Sequence, residues 1–169
     1  VVKTPADVAG LKIRVMENPV YIDTFKTLGA NAVPMAWTEA LTALQQGTID
    51  GQENPVNVIH AYKMWDSQKH VTMTRHAYAA AVITFSEEKF NSLPADVQEI
   101  FVQAAQEAAE YERAWVAENE EAQIADLKAN GMELIEEPDL ESFRQAVQAV
   151  YEQYPQYSEY LTRIKEAIK

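Results

Sequence analysis

GLKIRVMENPVYIDTFKTLGANAVPMAWTEALTALQQGTIDGQENP, Gly10 to Pro55, carries the architecture of this chain. Short β-like runs alternate in it with short helical patterns, the signature of βαβ units stacking on a mostly parallel sheet. Lys12 to Met16 reads as a strand, with Ile13 and Val15 on one face and Arg14, near its end, on the other. Beyond Asn18 and Pro19, Tyr21, Ile22, Phe25 and Leu28 recur at helical spacing until Gly29 supplies a stop. Ala32 to Met35 returns as extended chain, and Trp37 to Gln46 predicts the next helix. Gly47 is its expected C-terminal cap, because glycine enters the left-handed conformation without a Cβ clash. Thr48 to Pro55 then reads as a short element followed by a turn.

Downstream, Asn57 to Asp66 looks helical, and Val71 to Thr74 and Tyr78 to Phe85 are strand candidates separated by Arg75 and His76. Ala79 to Phe85 is nearly continuous apolar sequence, which suits a strand covered on both faces. Ser92 and Pro94 open a long helix with an apolar stripe at Val97, Phe101, Ala104, Ala108, Tyr111, Trp115 and Ala122, ended by Asn130 and Gly131. At about 1.5 Å per residue it spans roughly 50 Å, longer than a small domain is wide, so it is expected to run along or between two lobes. Met132 to Ile135 is a short strand; Leu140 to Tyr154 and Glu159 to Ile168 read as amphipathic helices.

The 169 residues fit one compact domain or part of a larger one, and 47% apolar against 24% charged residues is ordinary globular composition. The absence of Cys removes disulfides, thiolate metal sites and Cys nucleophiles. No stretch resembles a membrane span or a secretory signal, so the chain reads as soluble, or as a processed or truncated product. Val1 to Phe85 carries seven basic and seven acidic residues; from Ser86 onward seven basic face 19 acidic, so the whole net charge of -12 lies in the second half. Such a chain is repelled by phosphate backbones and anionic lipid, which argues against nucleic acid and direct membrane insertion. A small anionic ligand requires a local cation in the neutral first half.

Enzyme signatures fail. There is no Gly-x-Gly-x-x-Gly, no Gly-x-x-x-x-Gly-Lys loop, no Gly-x-Ser-x-Gly elbow and no His-Glu-x-x-His. His60, His70 and His76 lack metal-ligand spacing and read as surface or strand-end residues, so neither metal nor cofactor is expected. Binding is better supported. In open α/β folds ligands sit beyond the carboxyl ends of strands, and Arg14, Met35 to Trp37 and the Asp50 to Asn54 turn all fall at such ends. Arg14 presents a planar fork that matches a carboxylate bidentately, which makes an organic acid the natural partner. Spacing alone favours a plainer assignment: a strand-end surface ion pair for Arg14, a core position for Trp37 and a turn role for Asn54 before Pro55.

The segments KIRV (Lys12 to Val15), LGANAVPMAW (Leu28 to Trp37), ALQQGTIDGQENP (Ala43 to Pro55) and SLPADVQEIFVQAAQEAAEYER (Ser92 to Arg113) shift those weights. In order and spacing the chain resembles the substrate-binding proteins of tripartite ATP-independent periplasmic (TRAP) transporters, the dicarboxylate-binding class in particular. The resemblance implies an α/β, periplasmic-binding-protein-like (type II) fold that closes around an organic acid in the periplasm and hands it to TRAP membrane permease subunits. Family members are longer. The chain therefore corresponds to the second lobe, with the long interlobe helix and C-terminal helices, the first lobe being mostly absent. By this resemblance 1–78 form the main part of the second lobe, 79–91 a crossover strand of the incomplete first lobe, 92–130 the interlobe helix, and 131–169 a strand and helices packing back.

The resemblance assigns roles by position. Arg14 matches the arginine that pairs with the ligand carboxylate, Asn54 the asparagine that hydrogen-bonds it, and Trp37 a variable residue that shapes specificity. Asn18 lies beside the pocket by the same analogy, and Tyr78 is a further ligand-contact candidate. Two other readings remain at this point. An organic-acid enzyme on the same fold would use Asp50 or Glu53 near Arg14 as acid or base. A sensory or helical interaction module would use the long helix to engage a partner.

Overall fold

The computed structural model describes residues 1–168. After a short 3-10 turn over Pro5–Val8, the chain alternates β1 (Lys12–Val15), α1 (Pro19–Thr27), β2 (Asn31–Pro34), α2 (Trp37–Gln45), β3 (Gly51–Gln52) and α3 (Val56–Ala61). The three strands form one parallel sheet in the order β2-β1-β3. Lys12 lies opposite Asn31 and Val15 opposite Pro34, while Ile13 faces Gly51 and Arg14 faces Gln52. Parallel neighbours need a crossover, and the helices of the Gly10–Pro55 pattern supply it.

Local chemistry fixes the element ends. The Asn18 side chain accepts from the Val20 N–H at 2.9 Å and Pro19 occupies the first turn, so α1 starts where the sequence predicts. Gly47 follows α2 at φ +67° and donates its N–H to the Leu44 carbonyl. Its left-handed backbone lets the chain turn straight back toward the sheet.

A second parallel pair joins β4 (His70–Thr72) to β5 (Glu133–Ile135), with α4 (Glu87–Asn91) and the 35-residue α5 (Ala95–Ala129) between them in sequence. The chain ends with α6 (Leu140–Ala146), α7 (Gln148–Gln153) and α8 (Ser158–Ala167). One core, around Leu44, Ile49, Val56, Ile59, Met64, Val71, Leu127 and Met132, cements α2 and α3 to the end of α5. The other, around Val8, Val15, Phe25, Leu28 and Phe143, holds α1 and α6 to the sheet. Tyr154 ties the C-terminal region to α1 by donating its hydroxyl to Asp23 at 2.6 Å.

Several expectations are corrected. Tyr78 to Phe85 forms no strand: 73–85 carry neither helix nor ladder, and Val82 and Ile83 are exposed. A strand must close its N–H and C=O groups on a neighbour, and among the described residues β4 and β5 pair only with each other. Nor is the crossover extended as far as 91, because Ser86 caps α4 by accepting from the Lys89 N–H. The helix expected over Asn57 to Asp66 stops at Ala61, where Lys63 turns left-handed at φ +50°, and resumes as a 3-10 turn over Met64–Asp66. The helix expected over Leu140 to Tyr154 breaks at Val147. On α5 the buried residues are Gln123 and Leu127 rather than the upstream stripe; Ile100, Phe101, Tyr111 and Trp115 are exposed, because only the last turns of the helix meet the body.

Candidate ligand-binding site

The site is built where β1, β2 and β3 end. Arg14 is the next-to-last residue of central β1, and the pleat turns its side chain to the face opposite Val15. It is only 4% exposed, and its Nε and Nη2 both donate to the Met35 carbonyl, at 2.9 and 2.7 Å. Met35 itself is held by its N–H on the Val15 carbonyl at 3.2 Å, so the acceptor that clamps Arg14 is an extension of the sheet. One edge of the guanidinium is thus fixed by backbone. The other, Nη1 with the second Nη2 proton, has no carboxylate within 4.0 Å among the described residues. No fully buried side-chain nitrogen or oxygen among them lacks a partner, so the unpaired Nη1 is not sealed inside. The expectation of a strand-end surface ion pair is overturned: the side chain is buried and bonded to a carbonyl.

Trp37, the first residue of α2, packs over this group, with the guanidinium carbon 5.3 Å from the indole centroid. Trp37 also touches the Leu44–Leu127 core and meets Tyr62 edge-on at 5.1 Å between centroids, so it is part core and part site wall. Asn54 follows β3. Its Nδ2 donates to the Oε1 of Gln52, which is the register partner of Arg14, so Asn54 is half-buried and tethered to the same strand ends. Trp37 and Asn54 are therefore grouped with Arg14. Asn18 is exposed and spends its side-chain oxygen on capping α1. Tyr78 is 91% exposed in the unpaired segment, and no described contact joins it to the group; the strand that was expected to place it does not form.

Glu53, named from the sequence only as an acid or base beside Arg14, has a partner that the pattern reading did not bring to the site, His76. Glu53 has a nearly buried side chain that meets His76 Nε2 at 3.3 Å, while His76 Nδ1 lies 2.7 Å from Thr74 Oγ1 and the ring packs edge-on against Phe25. Burial lowers the Arg14 pKa, and the negative charges of Glu53 and then Glu17 oppose that shift. An arginine stays charged under such a shift. Tyr21 is pushed up, by burial first and by Glu53 second. His76 was legible only as a strand-end histidine, since its partner lies 23 positions earlier, across the fold. Asp50, the other acid/base candidate, is exposed and accepts from the Lys12 N–H at 2.8 Å, which makes it a strand tether.

The arrangement offers a rigid, largely desolvated cation whose second edge has no carboxylate partner, an aromatic neighbour and an amide, without a cluster of three metal-ligating side chains among the described residues. A planar guanidinium fork matches the geometry of a carboxylate. No helix of the described residues is long and apolar enough to cross a membrane.

Known proteins place this geometry in context. A solute-binding protein of Verminephrobacter eiseniae is 45% identical over 153 residues, covering 90% of this chain and 46% of that protein. The 2,3-diketo-L-gulonate-binding periplasmic protein of Escherichia coli is 41% identical over 146 residues, covering 86% and 44% respectively. The chain spans about half the length of these curated relatives. The crystal structure of a TRAP periplasmic solute-binding protein from Polaromonas, bound to D-erythronate, superposes with a TM-score of 0.88 at 43% identity, over 92% of this chain and 51% of that one. Residues 1–157 match the model of the bacterial extracellular solute-binding proteins, family 7 (DctP), and the chain belongs to that family.

Proposed function

We propose that this chain is the second lobe of a periplasmic solute-binding protein that captures a small organic acid between two lobes and delivers it to the membrane permease of a TRAP transporter. In this reading the segment 79–91 crosses toward the other lobe and α5 runs between the two. The observation that carries the reading is the Arg14 guanidinium, fixed along one edge by the Met35 carbonyl and without a carboxylate partner within 4.0 Å among the described residues along the other. A carboxylate there makes two charge-assisted hydrogen bonds and meets a cation that needs no reorganisation. Asn54 contributes a third polar contact, and the N-terminus of α2, which has no side-chain cap, adds positive potential from the same side.

The charges around Arg14 support one ligand class over another. Those that act on it are carboxylates, Glu53 and Glu17, so this lobe favours a single carboxylate followed by uncharged groups. Hydroxyls suit the amide of Asn54, and C–H faces suit the indole of Trp37. A hydroxy or oxo monocarboxylate is therefore favoured over a C4-dicarboxylate, and the D-erythronate and 2,3-diketo-L-gulonate named for two similar proteins are acids of that kind. Calorimetry of the two-lobed protein with a series of four- to six-carbon sugar acids and with succinate and malate tests this. Saturable binding of a sugar acid, weakened roughly tenfold or more in Arg14→Lys, is the expected result. Preference for succinate restores the dicarboxylate reading, and binding that ignores the Arg14 substitution removes the proposal.

A further inference from the structure

We infer that Tyr62 is a positioning residue for ligand selectivity: it sets the plane of Trp37, and through Trp37 the space left above the Arg14 carboxylate site. This rests on the reading of Arg14 and Trp37 as ligand-facing. Trp37 stands between two neighbours, with the Arg14 guanidinium 5.3 Å from its centroid and the Tyr62 ring 5.1 Å away at 82°. An indole has a broad range of orientations about its outer torsion, so a wall made by Trp alone is poorly defined. An edge-to-face contact restricts that torsion, because the positive ring edge seeks the negative face.

The backbone shows why Tyr62 can serve as a fixed stop. It terminates α3, with its N–H bonded to the Val58 carbonyl at 3.1 Å, and the next residue, Lys63, turns left-handed at φ +50°. A non-glycine residue in that conformation ends the helix abruptly and leaves Tyr62 on its rim. α3 begins two residues after Asn54, so the amide that contacts ligand and the ring that orients Trp37 sit at opposite ends of one short rigid element. Tyr62 is 49% exposed. A side chain half in solvent adds little to the core, so its geometric contact with Trp37 is what distinguishes it.

The test measures, in the two-lobed protein, the ratio of dissociation constants for a four-carbon and a six-carbon sugar acid, in wild type, Tyr62→Phe and Tyr62→Ala. Tyr62→Phe keeps the ring contact and is expected to keep the ratio. Tyr62→Ala frees Trp37 and is expected to shift the ratio about three- to tenfold, the range of one aromatic pair, with the melting temperature within a few degrees of wild type. An unchanged ratio in Tyr62→Ala, or a shift of equal size in both variants, overturns the inference. If wild type binds neither these acids nor any other carboxylate, the proposed function itself falls, which is a separable outcome.

Discussion

Arg14 combines two demands that usually conflict. It is as buried as a core residue, yet its hydrogen-bond partner is the Met35 carbonyl, and no carboxylate pairs with it directly among the described residues. Replacing it therefore does more than remove a ligand contact. Arg14→Ala leaves the Met35 carbonyl without its partner and is expected to cost about 1–3 kcal/mol of stability, read as a drop in melting temperature, along with loss of acid binding. Arg14→Lys retains charge but offers a single ammonium in place of the fork, so it is expected to weaken acid binding by roughly tenfold or more while keeping most of the stability. Equal affinity of the lysine variant would mean that bidentate geometry is irrelevant here. Tyr154 supplies a pH prediction. Its hydrogen bond to Asp23 first, then burial and the Asp23 charge, push it up to about 12. A raised pKa favours the protonated form in the folded chain, so this contribution is complete below about 10, the unfolded value, and is lost as pH climbs through about 12. Tyr154→Phe is expected to show a shallower loss of melting temperature than wild type across that interval.

How far the sequence could be read depends on where each segment's partners lie. The βαβ run from Gly10 to Pro55 was legible because its partners are near: strand, helix and strand each announce themselves by period, and Asn18, Gly29 and Gly47 mark the ends. Arg14 was legible as a strand-end cation, but its burial was not, since nothing local shows that Met35, 21 positions on, will supply the acceptor. The Glu53–His76 contact was hidden for the same reason. Ala79 to Phe85 misled because an apolar β-like run encodes only a demand for neighbours, and no strand among the described residues pairs with it. The stripe of α5 misled in a related way: periodicity names a face without naming what covers it. The two ends of α5 should consequently respond differently to substitution. Leu127 is 0% exposed within the larger core, and Leu127→Ala is expected to cost about 2–5 kcal/mol. Ile100→Ser and Tyr111→Ser, on the exposed turns of the same helix, are expected to stay within about 0.5 kcal/mol in this chain. Chemical denaturation of the three variants measures the contrast, and equal losses would show that the upstream turns are packed after all.

Under the proposed two-lobed reading, tight capture of an acid requires more than the contacts of this one lobe. Each charge-assisted hydrogen bond from Arg14 contributes on the order of 1.5–3 kcal/mol, so the pair contributes about 3–6 kcal/mol before the entropy of association is subtracted. A micromolar complex needs about 8 kcal/mol and a millimolar one about 4. On those figures Arg14 and Asn54 by themselves would fall short of micromolar binding. In that reading a second lobe closing over the acid would add contacts and exclude water, and an acid touching both lobes only when they are shut would shift the population toward the closed form. The chain of 169 residues, studied by itself, is thus expected to bind a sugar acid no more tightly than the millimolar range. The two-lobed protein is expected to bind the same acid at micromolar concentration or below, and to contract measurably in small-angle scattering when it does. Both measurements are needed. Micromolar binding by this chain alone would mean that the strand ends of β1, β2 and β3 form a complete pocket and that closure is not the source of affinity. Tight binding by the two-lobed protein without contraction would place the missing energy in a preformed cavity instead of in the transition between open and closed forms.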